Sequence, residues 1–304
     1  MEDTVTATIR YAQRDATRNA SEKPYILHYA APEGFPQNNF TIKPVHGIKI
    51  RNLRTAGISY EEHGIQLASL KDSSQMHDAQ KFDDDDWVES VYLPELHRSI
   101  SEALGARDVT VFDWMIRKRA RSFPIRNVGD ENEDAHQPSL SAHIDYTTAE
   151  LDSRVDQYFG DSKDAMLSRH YQVIKCVQRL QGSIYLANPD HISSRSIWKP
   201  LSGPCRDFPM AYLDPRSVNA AKDLFAVDEV FPTVANEVFQ VSYSPDHVWY
   251  YVPDQLESEI TIFNAFDSEK GQSLAVPHCS FDLGAAGSSG PPRQSIEVRA
   301  FVFF

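Results

Sequence analysis

The chain is poor in cysteine, with 3 among 304 residues: Cys176, Cys205 and Cys279. Three widely spaced thiols build neither a disulfide framework nor a zinc knuckle. They fit a reducing compartment, so a cytosolic location is expected. Positive charge is also short. Lys and Arg total 30 against 43 Asp and Glu, a formal net charge of −13, which disfavours nucleic acid and anionic membrane as partners. No apolar run approaches the roughly 20 residues that span a bilayer. The leading Met-Glu-Asp-Thr-Val has neither a basic nor an apolar leader character, so no secretory signal is expected. Asn19-Ala-Ser and Asn39-Phe-Thr match the glycosylation sequon, and without a leader both read as chance. Familiar catalytic loops are missing as well: there is no Gly-x-Ser-x-Gly, no phosphate-binding glycine loop and no dinucleotide fingerprint.

What is present is β-prone. Short runs rich in aromatic and β-branched residues recur in the second half, at Met210–Leu213, Glu237–Tyr243, Val248–Val252, Glu259–Phe266 and Ser295–Phe304. Val109–Ile116 is another, and Val5–Tyr11, Tyr25–Tyr29 and Thr41–Ile50 form a lead-in of strands and loops. Such strands with turns between them predict a mostly β chain with flanking helices (α+β) and a double-layered antiparallel core. That core is a jelly roll, or cupin-like double-stranded β-helix. From Trp87 to Leu104 the apolar residues Val88, Val91, Leu93, Leu96, Ile100 and Leu104 suit an amphipathic helix ending near Gly105. The Asp83–Asp86 run before it suits a helix N-terminus, where negative charge meets the positive end of the dipole. Four adjacent aspartates lack the spacing of a calcium loop. Glu150–Gly160 and Ser162–Tyr171 carry helical spacing too. With no repeat, heptad or linker, one domain over residues 1–304 is expected: an N-terminal extension at 1–105 and a jelly-roll core at 106–304.

The chemistry-bearing residues are dispersed. His143 and Asp145 stand in Ser-Ala-His-Ile-Asp-Tyr (141–146), and alternate residues of a strand share a face. On spacing alone a His-x-Asp tripeptide is weak, expected roughly once by chance in a chain of this size. Its bland alternative is an ordinary surface strand. Two downstream histidines could complete a set of two imidazoles and one carboxylate, the ligands with which non-haem Fe(II) oxygenases bind one face of the metal. His247 lies in a turn entering a strand and no Arg follows it for 46 residues, whereas His278 is followed by Arg293 and Arg299. His278 is therefore favoured. A 2-oxoglutarate co-substrate buried in a mostly apolar barrel needs its carboxylate paired, and the planar fork of Arg suits that task. Arg293, Ser295, Glu297 and Arg299 share strand parity. Arg293 is placed slightly ahead, since Ser295 follows it and adds a hydroxyl donor. For Arg299 the alternative is an ion pair, with Glu297 as a partner. Trp198, Trp249 and Tyr250 could line a pocket, although core packing is the commoner role of such aromatics.

These residues resemble the fungal hydroxylase/desaturase family that includes gibberellin desaturase and the aspergillic acid hydroxylase, with the bacterial cephem 7α-methoxylation protein as a distant relative. The resemblance rests on seven blocks along almost the whole chain: 109–117, 142–147, 197–204, 249–254, 266–268, 277–282 and 291–303. The last block, Pro-Pro-Arg-Gln-Ser-Ile-Glu-Val-Arg-Ala-Phe-Val-Phe, is the most specific. The resemblance implies an Fe(II)/2-oxoglutarate oxygenase of specialised metabolism that acts on a small-molecule substrate with O2, with His143, Asp145 and His278 as the iron ligands. Two departures stand out. Lys199 occupies a position where the family carries Arg, keeping the charge and losing the bidentate fork. About 20 residues, roughly 176–196, intervene between the Tyr171–Ile174 segment and Trp198 where the family runs on directly, and are read as an insertion. Two rival functions keep other classes open: a cupin-like metal enzyme that does not use 2-oxoglutarate, and a non-catalytic β-rich binding protein.

Overall fold

The computed structural model describes residues 3–15, 17–70, 76, 78–120, 123, 137–160, 193–201, 203–267, 272–289 and 291–304. Fourteen strands are described. In chain order they are β1 (Thr4–Gln13), β2 (Tyr25–Leu27), β3 (Thr41–Asn52), β4 (Ile65–Ser69), β5 (Asp108–Lys118), β6 (His143–Ile144) and β7 (Ser193–Pro200). Then follow β8 (Met210–Leu213), β9 (Leu224–Val230), β10 (Ala235–Val241), β11 (Trp249–Tyr251), β12 (Glu259–Phe266), β13 (His278–Ser280) and β14 (Gln294–Phe303). They form a nine-stranded sheet ordered β1-β3-β11-β8-β13-β6-β10-β9-β2 and a five-stranded sheet ordered β4-β12-β7-β14-β5. The second sheet is antiparallel throughout. Two sheets facing one another with mostly antiparallel pairing are the jelly-roll core expected from the sequence.

Side-chain parity explains the layers. Along β14, Ile296, Val298, Ala300 and Val302 join one apolar cluster with Ile260 and Ile262 of β12. That cluster lies against helix α1 (Leu93–Leu104), whose Leu96 and Ile100 are fully buried. Alternate residues face the other way, so Trp198 of β7 and Phe263 of β12 pack between the sheets with Met210, Tyr212 and Tyr250. The predicted helix is found at α1, preceded by a helical turn at Asp85–Trp87 and a π-helical stretch at Val88–Tyr92. Asp84 caps its start by accepting a hydrogen bond from the Trp87 N–H at 3.2 Å. Gly105 ends it in the left-handed region at φ 65°, a conformation that costs glycine little. The aspartate run is thus a helix cap.

Residues 1–105 contribute β1, β2 and β3 to the larger sheet and β4 to the smaller. The larger sheet also curls back on itself. Arg10 of β1 bridges Ser141 in parallel fashion, and the Ala142 N–H donates to the Arg10 carbonyl at 2.9 Å. The curl encloses a cluster that includes Ile9, Tyr11, Ile50, Leu213 and Trp249. A second helix, α2 (Thr148–Phe159), follows β6 directly. The helical spacing at 162–171 lies outside the described residues. So does the expected insertion at 176–196, except its last four residues, which begin β7.

Candidate active site

Two very short strands place the two histidines. β6 and β13 pair antiparallel with His143 directly opposite His278, and their rings lie 4.6 Å apart between centroids. Each strand is held by its other neighbour, β6 by β10 and β13 by β8. Asp145 falls just beyond β6, because Thr147 takes up the N-cap of α2, its side chain accepting from the Glu150 N–H at 3.2 Å. All three side chains are buried. Asp145 offers one oxygen to each imidazole: Oδ1 lies 3.6 Å from His143 Nε2, and Oδ2 lies 3.8 Å from His278 Nε2.

The tautomers follow from the backbone. His143 Nδ1 lies 2.8 Å from the Ser141 carbonyl and His278 Nδ1 lies 3.2 Å from the Val276 carbonyl. A carbonyl only accepts, so both Nδ1 atoms carry the proton and both Nε2 lone pairs turn toward Asp145. Burial lowers the His278 pKa to about 4, against the opposing pull of Asp145 and with a further lowering by His143. A neutral imidazole fixed by its second nitrogen is the form that ligates a metal. The one ligand atom from each residue falls within 4.8 Å of the others, close to the spacing at which one ion touches all three. The donor set, two neutral imidazoles and a carboxylate on one side, therefore fits a six-coordinate Fe(II) with its remaining positions open.

His247, the alternative third ligand, is elsewhere. Its Nε2 lies 3.3 Å from Asp223 Oδ2 and its Nδ1 lies 3.3 Å from the Tyr11 hydroxyl. That hydroxyl also accepts from the Trp249 indole N–H at 2.8 Å. The network pins β1 across the outer face of the larger sheet, and Trp249 belongs to it rather than to the site. Tyr250 packs between the sheets.

Beside the triad lies a small cavity. Asp145 and His278 form part of its wall, with Trp198, Met210, Phe263, Glu297 and Arg299. Arg299 faces inward from β14, and its NH2 donates to Glu297 on the same strand at 3.1 Å. Arg293 precedes β14 and is buried. Its Nε donates to Ser295 Oγ at 3.1 Å and its NH1 to the Phe208 carbonyl at 2.7 Å and to Ser280 Oγ. The guanidinium lies over the Trp198 ring, 5.0 Å from its centroid. Only its NH2 edge meets weaker partners, the Met210 thioether at 3.6 Å and Glu297 at 3.9 Å. Burial lowers the Arg293 pKa, although a guanidinium stays charged.

Glu297 and Arg117 were not picked out from the sequence as site residues. Arg117 of β5 donates from Nε to Glu297 Oε1 at 2.5 Å. Burial alone would raise the Glu297 pKa; the guanidiniums of Arg117, Arg299 and Arg293 outweigh it and hold the carboxyl at about 2. Strand parity was the available signal, because Glu297 alternates with Ser295 and Arg299 on the same inward face. Lys199 is the reverse case. Its strand neighbour Trp198 faces the cavity, so Lys199 faces the helix layer. It has no access to the triad.

Two facing sheets with two histidines and a carboxylate converging between them define the jelly-roll class of non-haem metal enzymes. The chain belongs to the family described as the oxidoreductase/YMDC permease-like domain, whose model matches residues 9–189 and 186–303. Among curated proteins it is 26% identical to the Fe(II)/2-oxoglutarate-dependent dioxygenase nvfI of Aspergillus novofumigatus, across 94% of this chain and 93% of that protein. It is 26% identical to the alpha-ketoglutarate-dependent dioxygenase tstK of Talaromyces stipitatus, across 92% and 96%. It is 23% identical to the hydroxylase/desaturase efuI of Hormonema carpetanum, across 99% and 95%. The solved structure of the endoperoxidase NvfI superposes with a TM-score of 0.79 at 24% identity, covering 100% of this chain and 99% of that one. That superposition shows the shared fold.

Proposed function

We propose that this protein is an Fe(II)/2-oxoglutarate-dependent oxygenase that hydroxylates or desaturates a small-molecule intermediate of specialised metabolism. The observation that carries the reading is the convergence of His143, Asp145 and His278, with both Nδ1 atoms committed to backbone carbonyls, beside a buried guanidinium. The relatives named as dioxygenases and as a hydroxylase/desaturase support it.

His143, Asp145 and His278 would hold Fe(II), which with 2-oxoglutarate and O2 supplies the oxidising power needed to take hydrogen from an unactivated carbon. The chain's own part is placement. The Ser141 and Val276 carbonyls fix the imidazole planes, so neither ring rotates away from the shared face. Phe263, whose ring packs edge-on to His278 at 4.7 Å, joins Trp198 and Met210 in excluding water from that face. Arg293, braced by Ser295, Ser280 and the Phe208 carbonyl, would pair with the far carboxylate of the co-substrate. A cation held rigidly by three acceptors loses little entropy when an anion docks. Arg299 is the cation that lines the cavity, and it is paired with Glu297.

The test is conversion of 2-oxoglutarate to succinate by the purified protein with and without Fe(II). Fe(II)-dependent succinate formation that is abolished in His278→Ala is the expected result. Unchanged turnover in His278→Ala would overturn the assignment. Turnover of a substrate with no 2-oxoglutarate consumed would leave the fold and replace the reaction.

A further inference from the structure

The two imidazoles of the triad are oriented by different means. The Ser141 carbonyl, 2.8 Å from His143 Nδ1, adjoins Ala142, whose carbonyl and N–H are bonded to Val241 and Arg10. The Val276 carbonyl, 3.2 Å from His278 Nδ1, lies before β13 begins and belongs to no strand. Its peptide unit runs into Pro277, which has no N–H, so that unit has no donor of its own to fix the direction of the carbonyl. Upstream, the Val276 N–H donates to the Asn264 carbonyl at 2.8 Å, and the Asn264 N–H donates to the Gly64 carbonyl at 2.8 Å. Gly64 ends a helical turn at Tyr60–His63 with φ +66°. A Cβ there would stand 2.7 Å from the Leu274 carbonyl oxygen, 3.1 Å from Val276 Cγ2 and 3.2 Å from Asn264 Cβ. These neighbours are the groups that hold Val276: the backbone two residues before it, its own side chain, and the residue that accepts its N–H.

We propose that Gly64 is a positioning residue for the second metal ligand. Its bare α-carbon lets β12 and the 274–276 segment close on one point. That close approach, rather than a strand ladder, aims the Val276 carbonyl at His278 Nδ1. The inference rests on the reading of His278 as an iron ligand. Gly64 itself touches neither metal nor substrate and acts through Val276. A methyl group at this position meets backbone at Leu274 and buried side chains at Val276 and Asn264, so the chain ahead of His278 has to shift. A hydrogen bond already at 3.2 Å has little slack for such a shift. The imidazole then loses the contact that fixes both its plane and its tautomer.

The experiment titrates Co(II), a spectroscopic stand-in for Fe(II), into the full chain and follows its d–d absorption. Gly64→Ala should weaken Co(II) binding by about tenfold, the range for loss of a group that orients a metal ligand, and should change the shape of the d–d bands. Gly57→Ala is the matched control. Gly57 has the same φ of +66°, and nothing lies within 4 Å of the Cβ it would gain. It carries the same backbone strain without the contact, so it should lose stability and keep native Co(II) affinity and bands. Equal Co(II) affinity in the two variants would mean that Gly64 serves the fold alone, and overturns the inference. If Gly64→Ala does not fold, Val276→Ala decides the question. It removes the methyl groups packed on Gly64 and keeps the carbonyl, so it should weaken Co(II) binding by a smaller factor, and unchanged affinity overturns the inference. Failure of the native protein to bind Co(II) would overturn the iron-ligand reading as well, whereas native binding with the two alanine variants alike overturns this one alone.

Discussion

Replacing Lys199 by Met should stabilise the protein at neutral pH and destabilise it at high pH. Lys199 is fully buried on the helix-facing side of β7. Its Nζ donates to the Met76 carbonyl at 3.1 Å and lies 4.9 Å from the Phe82 ring centroid and 5.8 Å from that of Tyr92. Burial brings its pKa down to about 7, only partly offset by the distant Glu257. The unfolded chain keeps an ordinary lysine near 10.4. Between pH 7 and about 10 the unfolded state therefore binds the extra proton, and stability rises with pH across that window. The burial cost is on the order of 4–5 kcal/mol at pH 7 and below, at 1.36 kcal/mol per tenfold change in proton affinity. That cost is net of the attraction of the two rings for the cation, because a pKa difference counts every interaction of the charged form. Met fills the same space without a charge, and forfeits about 1 kcal/mol for the Met76 carbonyl left without its donor. Lys199→Met should then be more stable by about 3 kcal/mol at pH 7, and less stable by about 1 kcal/mol at about pH 11, where the amine is neutral in both states. Urea midpoints for both proteins at the two pH values give the answer. A stability difference that does not change with pH would refute the reasoning, since it would mean that the folded state keeps its proton throughout.

Gly64→Ala should cost about 2–3 kcal/mol in urea denaturation, because φ is +66° and the new Cβ would stand 2.7 Å from the Leu274 carbonyl oxygen; a loss below 0.5 kcal/mol would show that the Leu274 segment yields freely. Tyr11→Phe should destabilise by about 1–3 kcal/mol, because the buried Trp249 N–H and His247 Nδ1 both lose their partner. Fe(II) affinity should stay unchanged, and a weakened metal site would show that this network reaches the triad.

The fold was legible where local pattern and final environment agree. Met210–Leu213 and Glu259–Phe266 were predicted with the bounds they have in the structure, because aromatic and β-branched residues there fill one face or both. The end of α1 at Gly105 could be read as well, since only a left-handed residue lets the chain leave that helix cheaply. β6 and β13 could not be delimited. Strands of two and three residues carry no periodicity, and their existence depends on neighbours distant in sequence. β4, β7 and β9 were missed for a related reason: pairing, not composition, decides them. The convergence of His143 with His278 was inferred from residue type and the cations downstream, while the register that produces it is a tertiary fact. Arg117 and Glu297 illustrate the same limit. Their contact joins residues 180 positions apart, and nothing in the order of residues marks β5 as the strand beside β14.

Short ligand strands raise the question of what keeps them rigid. β6 holds only His143 and Ile144, and a strand that short contributes little stability of its own. The residues next to it supply the rest. The Val241 N–H donates to the Ala142 carbonyl at 3.0 Å, and the Ala142 N–H donates to the Arg10 carbonyl at 2.9 Å. Ala142 is the residue immediately before the first ligand, so β1, more than 130 positions upstream, is bonded one residue away from His143. On the second ligand strand the Ser280 N–H donates to the Ser139 carbonyl at 2.6 Å, tying the end of β13 to the approach of β6. The curl of the larger sheet is therefore part of the site's construction. It closes the backbone around both histidines from the side opposite the cavity, and leaves the face toward Trp198, Phe263 and Arg299 free for chemistry.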